Sequence, residues 1–189
     1  MALVPPARLD ESDDARALVD RIMTGRGKLG ALYPVLLHSP RLASSLIEFG
    51  TVVRYGNGLE PRLRELVICL VGELNGARYE VHRHRELAFE TGASADQVYG
   101  VREWRTLPAY SELERSALHL AESVTTSVRA DPSQVSKLLE RLGPQRLVEL
   151  VTLVAYYNMI ARILEPLGIT PADEATPEEI IVRSHEQAS

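Results

Sequence analysis

Apolar residues return every three or four positions along most of this chain, and no stretch alternates polar with apolar as a half-buried strand does. The spacing predicts an all-α architecture of about eight helices. Asp10 or Ser12 can cap the first, whose apolar face is Ala17, Leu18, Ile22 and Met23 and whose end falls at Gly25-Arg26-Gly27. Leu29 to His38 is a short apolar segment stopped by Ser39-Pro40. Pro40 suits the first turn of the next helix, because an N–H is not needed there; Leu42, Ala43, Leu46, Ile47, Val52 and Val53 carry that helix to Tyr55. The Gly56-Asn57-Gly58 loop then breaks the pattern.

Beyond the loop, Glu60-Pro61 opens a helix with Leu63, Val67, Leu70, Val71 and Leu74 at helical spacing, interrupted at Asn75-Gly76. The pattern resumes from Ala77 to Thr91 and stops at Gly92, so two helices meet at Asn75-Gly76. Ser94-Ala95-Asp96-Gln97 signals a short capped helix, and Val101 to Tyr110, with Trp104 and Pro108, reads as a connection. Ser111-Glu112-Leu113-Glu114 and Asp131-Pro132-Ser133 start two more helices, the second ending at Gly143. Gly143-Pro144 begins the longest apolar pattern, from Leu147 through Leu164 to Gly168, which is expected to be the central core helix. Residues 1–9, with two adjacent prolines, read as an extended arm. Residues 169–189 read as a peripheral tail with one helical turn at Pro177 to Val182.

Composition narrows the class. With 45% hydrophobic residues in 189, the chain can close one good-sized core, so a single domain over 1–189 is expected. The net charge of −5 comes from mixed signs without a basic block, which argues against a nucleic-acid partner. The N-terminus lacks the apolar core of a signal peptide, and no apolar run approaches the roughly 20 residues of a membrane span. A cytoplasmic protein without a membrane partner is expected. The single cysteine, Cys69, excludes an intrachain disulfide and Cys-x-x-Cys redox chemistry, and its place between Ile68 and Leu70 points to a buried thiol.

The densest set of proton-carrying groups lies between Glu65 and His84. Glu80 and His84 are four apart and share a helix face, where a carboxylate can orient an imidazole and raise its pKa. Such a pair can carry a proton near neutral pH, although the same spacing also describes an ordinary solvated pair. His82 points about 200° away from His84 on a helix, so the two do not share one metal ion, and no His-x-x-x-His spacing occurs elsewhere. Glu65 joins the set only if two helices fold back on each other, which spacing does not decide. Tyr79, Tyr156, Tyr157 and Asn158 read as core or interface residues with satisfied polar tips. Arg78 and Arg83 read as solvated residues able to pair with a substrate carboxylate.

Glu65 to His84 resembles the signature of the carboxymuconolactone decarboxylase and alkylhydroperoxidase D family. So do Pro61-Arg62-Leu63-Arg64-Glu65-Leu66-Val67 and Tyr156-Tyr157-Asn158-Met159-Ile160-Ala161-Arg162, and the likeness runs from about His38 to Gly168. It implies an alkylhydroperoxidase D-like helical subunit that assembles into homo-oligomers, trimers or hexamers, with sites near subunit contacts. In the peroxidase branch a glutamate is followed by Cys-x-x-Cys and then by a histidine four residues after the second cysteine. Here Glu65 and His84 occupy the outer positions, with Ala77 and Glu80 where the cysteines would be. Alanine supplies no thiolate, so disulfide-based peroxide reduction does not carry over.

What the resemblance leaves is a catalytic set of Glu65, Glu80 and His84, with His84 as general acid or base, Glu80 as its orienting partner or second proton carrier, and Glu65 tuning the pair. The decarboxylase branch acts on a lactone acid without a cofactor, adding a proton as carbon dioxide leaves. The expected activity is therefore that of a cofactor-independent lyase or isomerase on a small lactone, carboxylated or enolisable molecule. The alternative is a catalytically silent helical oligomer that binds a small molecule or a protein. One-cysteine peroxide chemistry at Cys69 is a third reading.

Overall fold

The computed structural model describes residues 2–8, 12–26 and 28–174 of the chain. Every regular element among them is helical: α1 (Asp13–Arg26), α2 (Leu32–Leu36), α3 (Pro40–Tyr55), α4 (Pro61–Asn75), α5 (Arg78–Glu90), α6 (Ala95–Tyr99), α7 (Glu112–Ser127) and α8 (Pro132–Leu164), with 3-10 turns at Val101–Glu103 and Pro171–Asp173. The all-α expectation holds. Asp10 and the turn expected at Pro177 to Val182 lie outside the described residues.

These elements gather into two compact units, one built from the residues up to Gly50 and from Pro166 onward, the other from Thr51–Glu165. In the first, the N-terminal arm is tied down by backbone bonds: Leu3 N–H donates to the Leu167 carbonyl at 2.8 Å and Ala7 N–H to that of Pro34 at 2.8 Å. Ala2 N–H donates to Asp173 Oδ1 at 2.8 Å. Ser12 Oγ accepts from Ala15 N–H at 3.2 Å, the cap expected for α1.

The second unit is built around α4. Glu60 caps it by accepting from the N–H groups of Arg62 and Leu63, Pro61 fills the first turn, and Gly76 ends it in the left-handed conformation at φ 69°. Residues 65–72 of α4 are all buried, because α5, α7 and α8 pack around it, with α6 and the first 3-10 turn closing the remainder. A helix covered on every side has to be apolar all round, and Leu66 to Val71 are. The sequence pointed instead to the long apolar pattern after Pro144 as the central helix. That segment packs mainly against α4 and α7, and it leaves Val148, Val151 and Met159 exposed.

Capping boxes at Ser94 with Gln97 and at Ser111 with Glu114 start α6 and α7 as their sequences require. Asp131 caps α8 through Ser133 and Gln134. By length and composition α8 is apolar enough to cross a membrane, unlike the reading of the sequence; half of its most apolar 18-residue window is buried inside the fold, as in a core helix.

The two arms of α8, 132–142 and 144–164, meet at a kink where Gly143 has φ 75° and ψ 168°. Only glycine adopts that conformation readily, and the ring of Pro144 forbids a straight continuation. A Cβ added at Gly143 meets nothing within 4 Å, so Gly143→Ala isolates the backbone effect. The expected cost is about 1–3 kcal/mol, seen as a lower midpoint in thermal denaturation. An unchanged midpoint would show that the kink stores no strain.

Candidate active site

The reversal at Gly76 sets the site. Ala77 N–H bonds back to the Gly72 carbonyl at 2.9 Å, closing the left-handed stop and sending α5 back along α4. Gly72 is required at this crossing: a Cβ there would lie 2.9 Å from Val81 Cγ2 and 3.2 Å from Glu80 Oε1. With α5 so close, His84 comes level with Glu65, and its Nδ1 stands 2.7 Å from Glu65 Oε2. Arg64 Nε donates to the other carboxylate oxygen, Oε1, at 3.1 Å. Glu65 is 1% and His84 5% exposed, so this is a buried pair and not a solvated one.

Burial alone acts to raise the Glu65 carboxyl. The hydrogen bond with His84, the charge of that ring when protonated, and the charges of Arg54 and Arg64 outweigh it and hold the group below its ordinary value. Glu65 is therefore an ionised acceptor, which places the ring proton of neutral His84 on Nδ1 and leaves Nε2 with a lone pair. Burial lowers the His84 pKa more than Glu65 raises it, and Arg54 and Arg83 add to the lowering. The sequence led us to expect a carboxylate neighbour to raise it. The direction is reversed because the imidazole is shut away from water.

Glu80 is not the hydrogen-bond partner of His84; that place is taken by Glu65. Its carboxyl is 2% exposed and neither oxygen has a hydrogen-bond partner among the described residues. Burial, with the negative charge of Glu165 added, pushes its pKa well up, so it keeps its proton to a higher pH than an exposed glutamate does. The two glutamates are driven in opposite directions, one to a carboxylate and one to a carboxylic acid, a division that suits separate proton-accepting and proton-donating tasks.

Two further residues, Tyr157 and Arg54, shape the surroundings of the pair. Tyr157, expected as a core tyrosine, stands edge-on to the His84 ring with centroids 4.9 Å apart and is itself packed edge-on by Tyr156 at 5.3 Å. The Arg54 charge acts on Glu65, His84 and Tyr157. Nothing in the spacing of α3 marks Arg54, whereas the Tyr156-Tyr157 doublet in a chain with 5% aromatic residues is a visible oddity. Asn158 has its amide satisfied by Thr125 and the Val154 carbonyl and accepts from Asn75, tying α8 to α4 and α7. His82 is exposed beside Glu86 at 3.8 Å, away from the pair. Cys69 is fully buried, and burial together with the Glu65 charge pushes its thiol up, so it stays protonated and is a poor nucleophile.

Residues 40–123, the stretch that holds Glu65, Glu80 and His84, match the model of the Carboxymuconolactone decarboxylase family. The resemblance drawn from the sequence is thereby borne out over this stretch, and the match does not extend to Tyr156–Arg162. Uncharacterized protein YnjA of Escherichia coli (strain K12) is 28% identical over 121 residues, 64% of this chain and 66% of that protein; the chain thus spans just under two thirds of that relative's length. The fold is similar to the alkylhydroperoxidase AhpD core of an uncharacterized peroxidase-related protein from Ralstonia eutropha JMP134, with a TM-score of 0.76 at 17% identity, covering 96% of this chain and 95% of that one. A cysteine-to-alanine variant of the debrominase Bmp8 in complex with 2,3,4-tribromopyrrole gives a TM-score of 0.74 at 20% identity, over 95% and 98% of the two chains. At these identities the likeness concerns the fold alone.

Proposed function

We propose that the protein is a cofactor-independent lyase or isomerase that transfers protons on a small lactone or carboxylated molecule, decarboxylation being the leading reaction. The observation that carries this reading is the 2.7 Å hydrogen bond between Glu65 and His84, buried and cut off from solvent. Glu65 holds the imidazole by Nδ1, and His84 works through Nε2 as base or acid. Glu80 is the second proton carrier. In a decarboxylation the carbon–carbon bond to the substrate carboxylate breaks, carbon dioxide leaves, and the electron pair stays on substrate carbon as an enolate. A proton from Glu80 then completes the product, and His84, which took the proton of the substrate carboxyl group at Nε2 before the bond broke, returns it to Glu80.

The test is a panel of small lactone acids followed by carbon dioxide release. His84→Gln and Glu80→Gln are each expected to lower turnover by about 100-fold or more. Activity needs neutral His84, so it should fall as pH drops through a value on the acid side of 6.5. It also needs protonated Glu80, so it should fall again as pH rises through a value well above 4.5. Full turnover in both variants would remove the assignment. Binding without turnover across the panel would favour the silent helical oligomer.

A further inference from the structure

A groove of about 540 Å³ lies on the same helices, and neither Glu65, Glu80 nor His84 lines it. Its volume falls within the roughly 300–1,000 Å³ of small-molecule sites. Gly72 and Val81 form part of its surface. Along it runs the face of α5 that carries Arg78, His82, Arg85 and Phe89, spaced by four, three and four residues and therefore aligned on one side of the helix.

The two ends differ in chemistry. At one, Phe89 and Tyr99 stand 5.8 Å apart with tilted rings, 40% and 63% exposed, in a chain where aromatic residues are scarce. Exposed aromatic surface of this kind, gathered in a concavity, marks a place that something apolar covers. The Arg85 guanidinium lies 5.3 Å from the Tyr99 ring, and Glu73 balances its charge at 2.6 Å. Glu86 is balanced by Arg83 at 2.9 Å. At the other end Arg78 is exposed and has no ion-pair partner among the described residues, so its charge is available to an anion. From 78 to 89 the helix advances about 16 Å at 1.5 Å per residue, too far for a compact acid to touch both ends.

We propose that this groove binds an elongated amphipathic anion, in chemical class an arylalkanoate, with its ring against Phe89 and Tyr99 and its carboxylate on Arg78. The site is separate from the proton-transfer pair and does not depend on its activity. Isothermal titration of the full chain with 6-phenylhexanoate, phenylacetate and the neutral 6-phenyl-1-hexanol tests it. The long acid should bind saturably and at least tenfold more tightly than either control. Arg78→Gln should erase its advantage over the alcohol, and Tyr99→Ala should weaken both long ligands about tenfold. Both side chains are exposed, so the folded state should survive, which circular dichroism confirms. Absence of saturable binding, equal affinity for acid and alcohol, or dissociation constants unmoved in both variants would overturn the proposal.

Discussion

Glu65→Ala is expected to lower stability by about 3–5 kcal/mol, the largest loss from any single change to the site. The glutamate accepts from His84 at 2.7 Å and from Arg64 at 3.1 Å, and alanine strands both donors in a nearly dry interior. In a chain of this size each kcal/mol moves the midpoint by about 2–4 °C, so thermal denaturation should show a fall of about 6–20 °C. Glu65→Gln, His84→Gln and the double variant complete a cycle that separates the coupling of the pair from the cost of the space left behind. The pH dependence has a definite sign. Glu65, held below 4.5 in the folded protein, contributes stability above that value and loses it as pH falls through its folded pKa. His84 lies below 6.5 when folded, so the unfolded chain takes up its proton first and stability drops as pH falls below 6.5. Both effects act together in acid. A Glu65→Ala midpoint within 2 °C of the native one would mean that the pair contributes nothing to the fold.

Glu80→Gln should act in the opposite sense and raise the midpoint at neutral pH. The folded protein keeps Glu80 protonated well above 4.5, while the unfolded chain releases that proton near 4.5. Stability from this group is complete below 4.5 and is lost progressively as pH rises towards the folded pKa. Glutamine has nearly the shape of the neutral acid and no proton to lose. Native and variant midpoints should therefore coincide at about pH 4 and separate with increasing pH, the variant being the more stable by a few degrees at pH 7. A variant less stable than the native protein at pH 7 would mean that Glu80 is an ionised, well-partnered carboxylate. The expected gain is the counterpart of the role proposed for Glu80: an unpartnered buried acid is costly to the fold, and glutamine can donate a hydrogen bond but not a proton.

Helix ends were legible because caps and stops are local chemistry. Glu60, Ser94, Ser111 and Asp131 each reach N–H groups two or three residues ahead, and Gly76 takes a conformation that other residues avoid. The centre of the bundle was not legible in the same way. The segment after Pro144 has the longest apolar pattern, but α4 is the buried helix, since burial depends on how many neighbours surround an element and not on its own periodicity. Spacing also paired Glu80 with His84, as any two residues four apart on a helix can be paired.

By itself the sequence determined the helical class, the cap-defined boundaries, the resemblance that the match over residues 40–123 supports, and the presence of a single cysteine, Cys69. Only the tertiary structure decided that Glu65 holds the imidazole, that Tyr157 packs against it, and that Glu80 is left buried without a hydrogen-bond partner among the described residues. The reason is physical: the deciding contact joins residues 19 apart on different helices, and its strength and direction come from the exclusion of water, which is a property of the packed core and of no local pattern.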